Sequence, residues 1–222
     1  AYSTISGTIE QVAQPVLAQI TDDNEREKRV FRKLMRFTAF FSFPALFGLS
    51  LVSQEFILLT IGEKWAECIP MLQVLCIGGA FFAFNTMYQQ LAISSGRSDI
   101  YMWCNIVQII LQIALILVSC NYGIFTMVIA YTVFSILWLG VWQWQAHRII
   151  GLRLRDALSD TMPFMLSAAA VMVATYFITL PIRNLWLLFP LRIIIASALY
   201  FAIMKIANAE ILNECIRFVR KK

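Results

Sequence analysis

The sequence predicts an all-α membrane protein, a polytopic helical bundle of six full spans with one further helix at its N-terminus. Three observations carry this. Hydrophobic residues make up 60% of the 222 and charged residues only 14%, with mean hydropathy +0.73, whereas an average soluble domain carries about 45–50% apolar and about 25% charged residues. The charges fall between long uncharged runs, each close to the ~20 residues a helix needs to cross a hydrocarbon core. Those runs must be helical, because irregular backbone facing lipid leaves its polar groups unsatisfied. A soluble enzyme, a secreted disulfide scaffold and a disordered tail are disfavoured on the same grounds.

The first element, about residues 1–20, differs from the rest. Ile5, Ile9, Val12, Val16 and Ile20 recur at helical spacing, while Ser3, Ser6, Gly7, Glu10 and Gln14 line another stripe. A helix this polar cannot face lipid all round, so it lines a watery cavity or lies on the surface as an amphipathic segment. Its spanning length and the basic run behind it favour the cavity. The chain opens on Ala1 without the features of a secretory leader, and reads as a piece of a longer polypeptide.

The next spans are expected at about 34–59, around the uncharged Phe37–Gln54, and at 69–94, within the uncharged Cys68–Gly96. The uncharged stretch Ile100–Ala146 is long enough for two helices, 100–120 and 124–146, broken at Asn121-Tyr122-Gly123. Residues 1–146 thus form one group. Residues 147–162, where Arg148, Arg153 and Arg155 alternate with apolar side chains, are expected as a cytoplasmic interfacial linker. Two additional spans occupy 163–206, the first opening on Pro163 as a helix-start proline. The second carries Arg192 about two turns from one end, from where a long side chain can snorkel to the headgroups. A basic tail, 207–222, follows.

Because successive spans alternate sides, the loop charges test the assignment. One side collects Arg26, Lys28, Arg29, Arg32, Lys33, Arg36, Arg97, Arg148, Arg153, Arg155, Lys205, Arg217, Arg220, Lys221 and Lys222. The other has Lys64 and Arg183, with Arg192 leaning toward it, which completes the 18 basic residues. The excess of Lys and Arg belongs in the cytoplasm, along with the C-terminus. Net charge +5 and pI near 9.1 follow from this topology and call for no nucleic-acid partner. Tryptophan agrees: Trp65 and Trp186 fall at outer ends, Trp103, Trp142 and Trp144 at inner ends, and only Trp138 sits deeper.

No catalytic constellation is legible. His147, the single histidine, falls at a cytoplasmic helix end, and the five cysteines show no metal or redox spacing. Neither cofactor nor metal is expected, and a membrane core without chemistry points to moving a molecule rather than converting it. What the core does contain is amides. Asn105, Gln108 and Gln112 share one face of the third full span, with Tyr101 a turn earlier, and Asn85, Gln89 and Gly78 form a similar stripe on the second. Such residues either bond between helices, at about 0.6 kcal/mol each, or line a polar path for a sugar-bearing substrate. Glu10 is the one carboxylate expected at membrane depth, a candidate proton or cation site; Glu55 and Glu63 are expected to be solvated at an outer helix end. Pro44, inside a span, removes a backbone hydrogen bond and is a hinge candidate.

The order of residues adds a resemblance. Gln14-Pro15-Val16-Leu17, the charged run Asp22 to Lys33, Phe43-Pro44-Ala45-Leu46-Phe47-Gly48-Leu49, Phe56-Ile57-Leu58-Leu59, Gly62-Glu63-Lys64-Trp65 and the turn Ser95-Gly96-Arg97-Ser98 follow one another as in bacterial polysaccharide exporters. Over about residues 1–100 the chain resembles the lipopolysaccharide and O-antigen flippase family of the multidrug/oligosaccharidyl-lipid/polysaccharide exporter superfamily. The resemblance implies the second lobe of a two-lobe transporter plus two extra C-terminal helices. It also implies a lipid-linked oligosaccharide as substrate, membrane lipids as surroundings and a preceding lobe of the same chain as partner. The intact protein would turn undecaprenyl-diphosphate-linked oligosaccharide across the bacterial inner membrane. A cation-coupled multidrug antiporter of the same superfamily and a membrane polysaccharide polymerase are the alternatives; the short outer loops count against the polymerase.

Overall fold

The computed structural model describes residues 24–182 and 184–206. The expected N-terminal helix, with Glu10 and Gln14, and the basic tail lie outside the described residues. Those described form α1 (Asn24–Leu51), α2 (Ser53–Thr60), α3 (Ile69–Ser94), α4 (Ser98–Ser119), α5 (Ile124–Ile150), α6 (Leu154–Thr179) and α7 (Leu185–Ile206), with short 3-10 turns at Glu63–Cys68 and Cys120–Tyr122. Among the described residues six helices are long and apolar enough to cross a membrane, and there is no strand. This is a multi-pass membrane protein.

Helix ends extend beyond the uncharged runs. The basic stretch from Arg26 to Arg36 is the opening of α1 itself, whose first turn carries Glu25 and Glu27 where the helix dipole favours acids. At 28 residues α1 is about 42 Å long, more than the hydrocarbon needs, so its charged turns stand in the interface. The expected linker at 147–162 is mostly helix as well. α5 runs to Ile150, where Gly151 in the left-handed region (φ 65°) closes it by donating its N–H to His147 O at 3.0 Å, and α6 begins at Leu154. Pro163 is therefore not a helix-start residue but sits beyond the second turn of α6. A charge marks where a span leaves hydrocarbon, not where hydrogen bonding along the helix stops.

α3 is the centre of the bundle, lying between α1 and α5; α6 covers another side of α1, α7 packs on α6, and α4 leans on α5. Small residues permit the close crossings: a Cβ added at Gly78 would meet Thr132 Cγ2 at 2.6 Å, so only glycine lets α3 and α5 approach this far. Phe43 is the hub on α1, its ring 5.5 Å from those of Phe47, Phe81 and Phe84. Trp142, expected at headgroup level, is instead 1% exposed within the core, because its face of α5 turns inward. Trp65, Trp103, Trp144 and Trp186 are exposed as expected, and Arg148 stacks 3.9 Å over Trp144 near the C-terminal end of α5.

Candidate functional site

The amide residues separate into two groups. Gln89 on α3 and Asn105 on α4 face each other, Gln89 Nε2 donating to Asn105 Oδ1 at 3.4 Å, while Asn105 Nδ2 donates to Tyr101 O at 2.8 Å. Gln108 and Gln112 continue the Asn105 face of α4, and both are half-buried where the rest of that helix is largely exposed and apolar. Asn85 lies apart. It is buried against α5, with Nδ2 donating to Ser135 O at 3.4 Å and Oδ1 without a protein partner. Gly78 belongs to the same α5 contact, so the α3 stripe is divided between two neighbours. Pro44 lies inside α1, half-buried.

Beside the Asn85 group a cavity of about 390 Å³ opens between α1, α3 and α5, lined by Leu46, Gly78, Gly79, Thr132 and Ser135. Thr132 Oγ1 is buried at its wall without a partner, and Gln90 Oε1, which does not line this cavity, is also buried without one. An unpaired polar atom in low dielectric costs about 1–3 kcal/mol, so each of these positions weighs against the stability of the bundle. Nothing in the arrangement pairs a nucleophile with a base. Among the described residues no cluster of His, Cys, Asp and Glu is placed to hold a metal ion.

The charges behave differently from expectation. Glu55 is not solvated: it is 2% exposed, and a partner from far along the chain explains it. Arg192, expected to reach for headgroups, is itself buried and donates from Nη1 to Glu55 Oε1 at 2.6 Å and to Leu51 O at 3.2 Å, and from Nε to Thr179 Oγ1 at 3.1 Å. Mutual neutralisation replaces part of the water each would otherwise need, with Glu55 Oε2 left buried and without a hydrogen-bond partner. At the opposite end Asp160 of α6 is held by Arg32 Nε at 2.6 Å and Arg36 Nε at 2.8 Å from α1. Glu27, also buried, accepts from Ser95 Oγ in the α3–α4 turn at 3.0 Å. Sequence reasoning missed these links and also Tyr88, whose hydroxyl donates to Gln143 Oε1 at 2.5 Å. A signal for one of them existed, since Glu55 and Arg192 carry opposite charge at helix ends assigned to one membrane side.

Residues 1–70 match the model of a family described as polysaccharide biosynthesis protein. An uncharacterized membrane protein in the cps region of Klebsiella pneumoniae is 36% identical over 117 residues, 53% of this chain and 24% of that protein. The lipopolysaccharide biosynthesis protein WzxC of Escherichia coli (strain K12) is 36% identical over 111 residues, 50% of the chain and 23% of the relative. The first third of the chain is thus similar to this polysaccharide biosynthesis family. A further relative, the teichuronic acid biosynthesis protein TuaB of Bacillus subtilis (strain 168), is 27% identical over 172 residues, 77% of the chain and 36% of the relative. Among solved structures the lipid II flippase MurJ, in an inward closed conformation, superposes with a TM-score of 0.76 at 15% identity, over 95% of this chain and 46% of that one. The chain thus shares the fold of that structure, and the matched stretch spans about a quarter to a third of the curated relatives.

Proposed function

We propose that this chain is part of an inner-membrane flippase or exporter that moves an undecaprenyl-diphosphate-linked oligosaccharide for lipopolysaccharide, O-antigen or exopolysaccharide biosynthesis, a transporter and not an enzyme. In this reading residues 1–146 are second-lobe helices, α6 and α7 are the two additional C-terminal spans, and a preceding lobe completes the translocation cavity. The observation that carries it is the facing amide pair Gln89 and Asn105, continued by Gln108 and Gln112, in a bundle that shares the fold of a lipid II flippase. The substrate poses two problems, a sugar head too polar for hydrocarbon and a lipid tail that never needs to leave it. A polar cleft open sideways to lipid answers both, and amides exchange hydrogen bonds with sugar hydroxyls at little net cost. Arg192 is already engaged by Glu55, so the diphosphate would be held by groups elsewhere in the intact protein. Rocking of the two lobes would carry the head across.

Replacing Gln89 and Gln108 by Leu in the full-length protein should lower surface polysaccharide while protein abundance stays constant; unchanged polysaccharide would leave these amides with a packing role only. For orientation, an impermeant thiol reagent should reach Lys64→Cys from outside the cell and Arg97→Cys only after the membrane is opened.

A further inference from the structure

α7 holds polar groups against α1 at two places, and at both the backbone hydrogen bonding of α1 is interrupted. Pro44 has no N–H, so the carbonyl four residues earlier, Phe40 O, loses its helical donor. Phe40 is 3% exposed, midway along a membrane helix where water cannot serve that carbonyl. The hydroxyl of Tyr200 does: Tyr200 Oη donates to Phe40 O at 3.1 Å, and the tyrosine is itself 3% exposed. The second irregularity is Val52, which separates α1 from α2. The carbonyl just before it, Leu51 O, accepts from Arg192 Nη1 at 3.2 Å, and the same nitrogen holds Glu55 on the far side of the break. Arg192, Ala196, Tyr200 and Met204 are the buried residues of α7 beyond Leu188, all on one face at helical spacing. The other helix-interior prolines differ. Pro163 and Pro190 deprive Ser159 and Trp186, which are exposed near helix ends.

We propose that α7 acts as a backbone clip for α1, with Tyr200 and Arg192 as positioning residues that supply the donors missing at Pro44 and at the Val52 break. The proline is then no free hinge: α1 is held on both sides of it by one neighbouring helix. Membrane helices tolerate proline when a neighbour serves the freed carbonyl, and here the neighbour is 160 residues away in sequence. The outer part of α1, α2 and α7 accordingly move as one body. This inference does not depend on what the protein transports.

The test is a double-mutant cycle in the full-length protein in detergent. Tyr200→Phe alone should lower the folded-to-unfolded ratio about threefold, the value of one such bond in a membrane protein. On a Pro44→Ala background, where the introduced alanine restores an N–H for Phe40 O, the same Tyr200→Phe change should leave the ratio unaltered. Equal losses on both backgrounds, or no loss on either, overturn the Pro44 half. For the break, hydrogen exchange is followed over residues 45–60 by mass spectrometry. Replacing Arg192 by Met together with Glu55 by Leu removes both charges at once, yet exchange beyond Leu51 should still be faster than in the parent. Parental exchange in that pair would reduce Arg192 to a counter-charge for Glu55 and overturn the second half.

Discussion

α1 and α4 are both long apolar membrane helices, yet the bundle treats them in opposite ways. About 39% of the apolar stretch of α1 is buried, against 11% of that of α4. In water such a difference would follow from hydrophobicity; in lipid it cannot, because hydrocarbon solvates leucine as well as a protein core does. The polar inventory decides instead. α1 carries arginines, a buried glutamate, a proline-freed carbonyl and hydroxyls, including Ser42 Oγ, which donates to Ala80 O at 3.2 Å, and each needs a neighbour. α4 carries one amide face and leaves Ile109, Ile110, Ile113, Leu117 and Val118 to the lipid. Between these two helices, the one with backbone and charge to satisfy is the one that is buried.

Four substitutions test that contrast. The largest effect belongs to Arg192→Met, which strands Glu55 buried and unpaired; about 3–5 kcal/mol should be lost, visible as a lowered unfolding midpoint of the full-length protein. Tolerance of this change would detach burial from charge pairing. Next, Phe43→Ala on α1 should cost about 3 kcal/mol through the cavity it opens, whereas Ile110→Ala on α4, 60% exposed, should change the same midpoint little. Comparable losses at the two positions would mean that α4 is packed against something in the intact molecule. The smallest stability effect is expected from Gln112→Leu, at about 0.6 kcal/mol or less. Its consequence should appear in surface polysaccharide rather than in protein level, and the reverse pattern would make the amide face of α4 structural.

The amide face itself was legible from spacing: Asn105, Gln108 and Gln112 fall at helical intervals, and their half-burial follows. The fate of the α3 stripe was not. Asn85 and Gln89 sit one turn apart, but the first meets Ser135 of α5 and the second Asn105 of α4, a division set by how far α3 rotates between two neighbours. Trp142 escaped sequence reasoning for the same cause. Its depth along the chain resembled that of Trp144, and the direction of its ring put it in the core.

The number and order of the spans were determined by the sequence alone, because keeping an ionised group out of hydrocarbon is a local requirement that each segment meets by itself. Gly151 and the turn at Ser95-Gly96-Arg97 mark their junctions for equally local reasons. The tertiary structure alone decided that Glu55 is buried, that Arg32 and Arg36 close on Asp160, and that Tyr200 stands in for the hydrogen bond Pro44 cannot make. Each of these joins residues more than a hundred positions apart, and the energy of such a pair depends on the rotation and register of both helices, which neither segment encodes on its own.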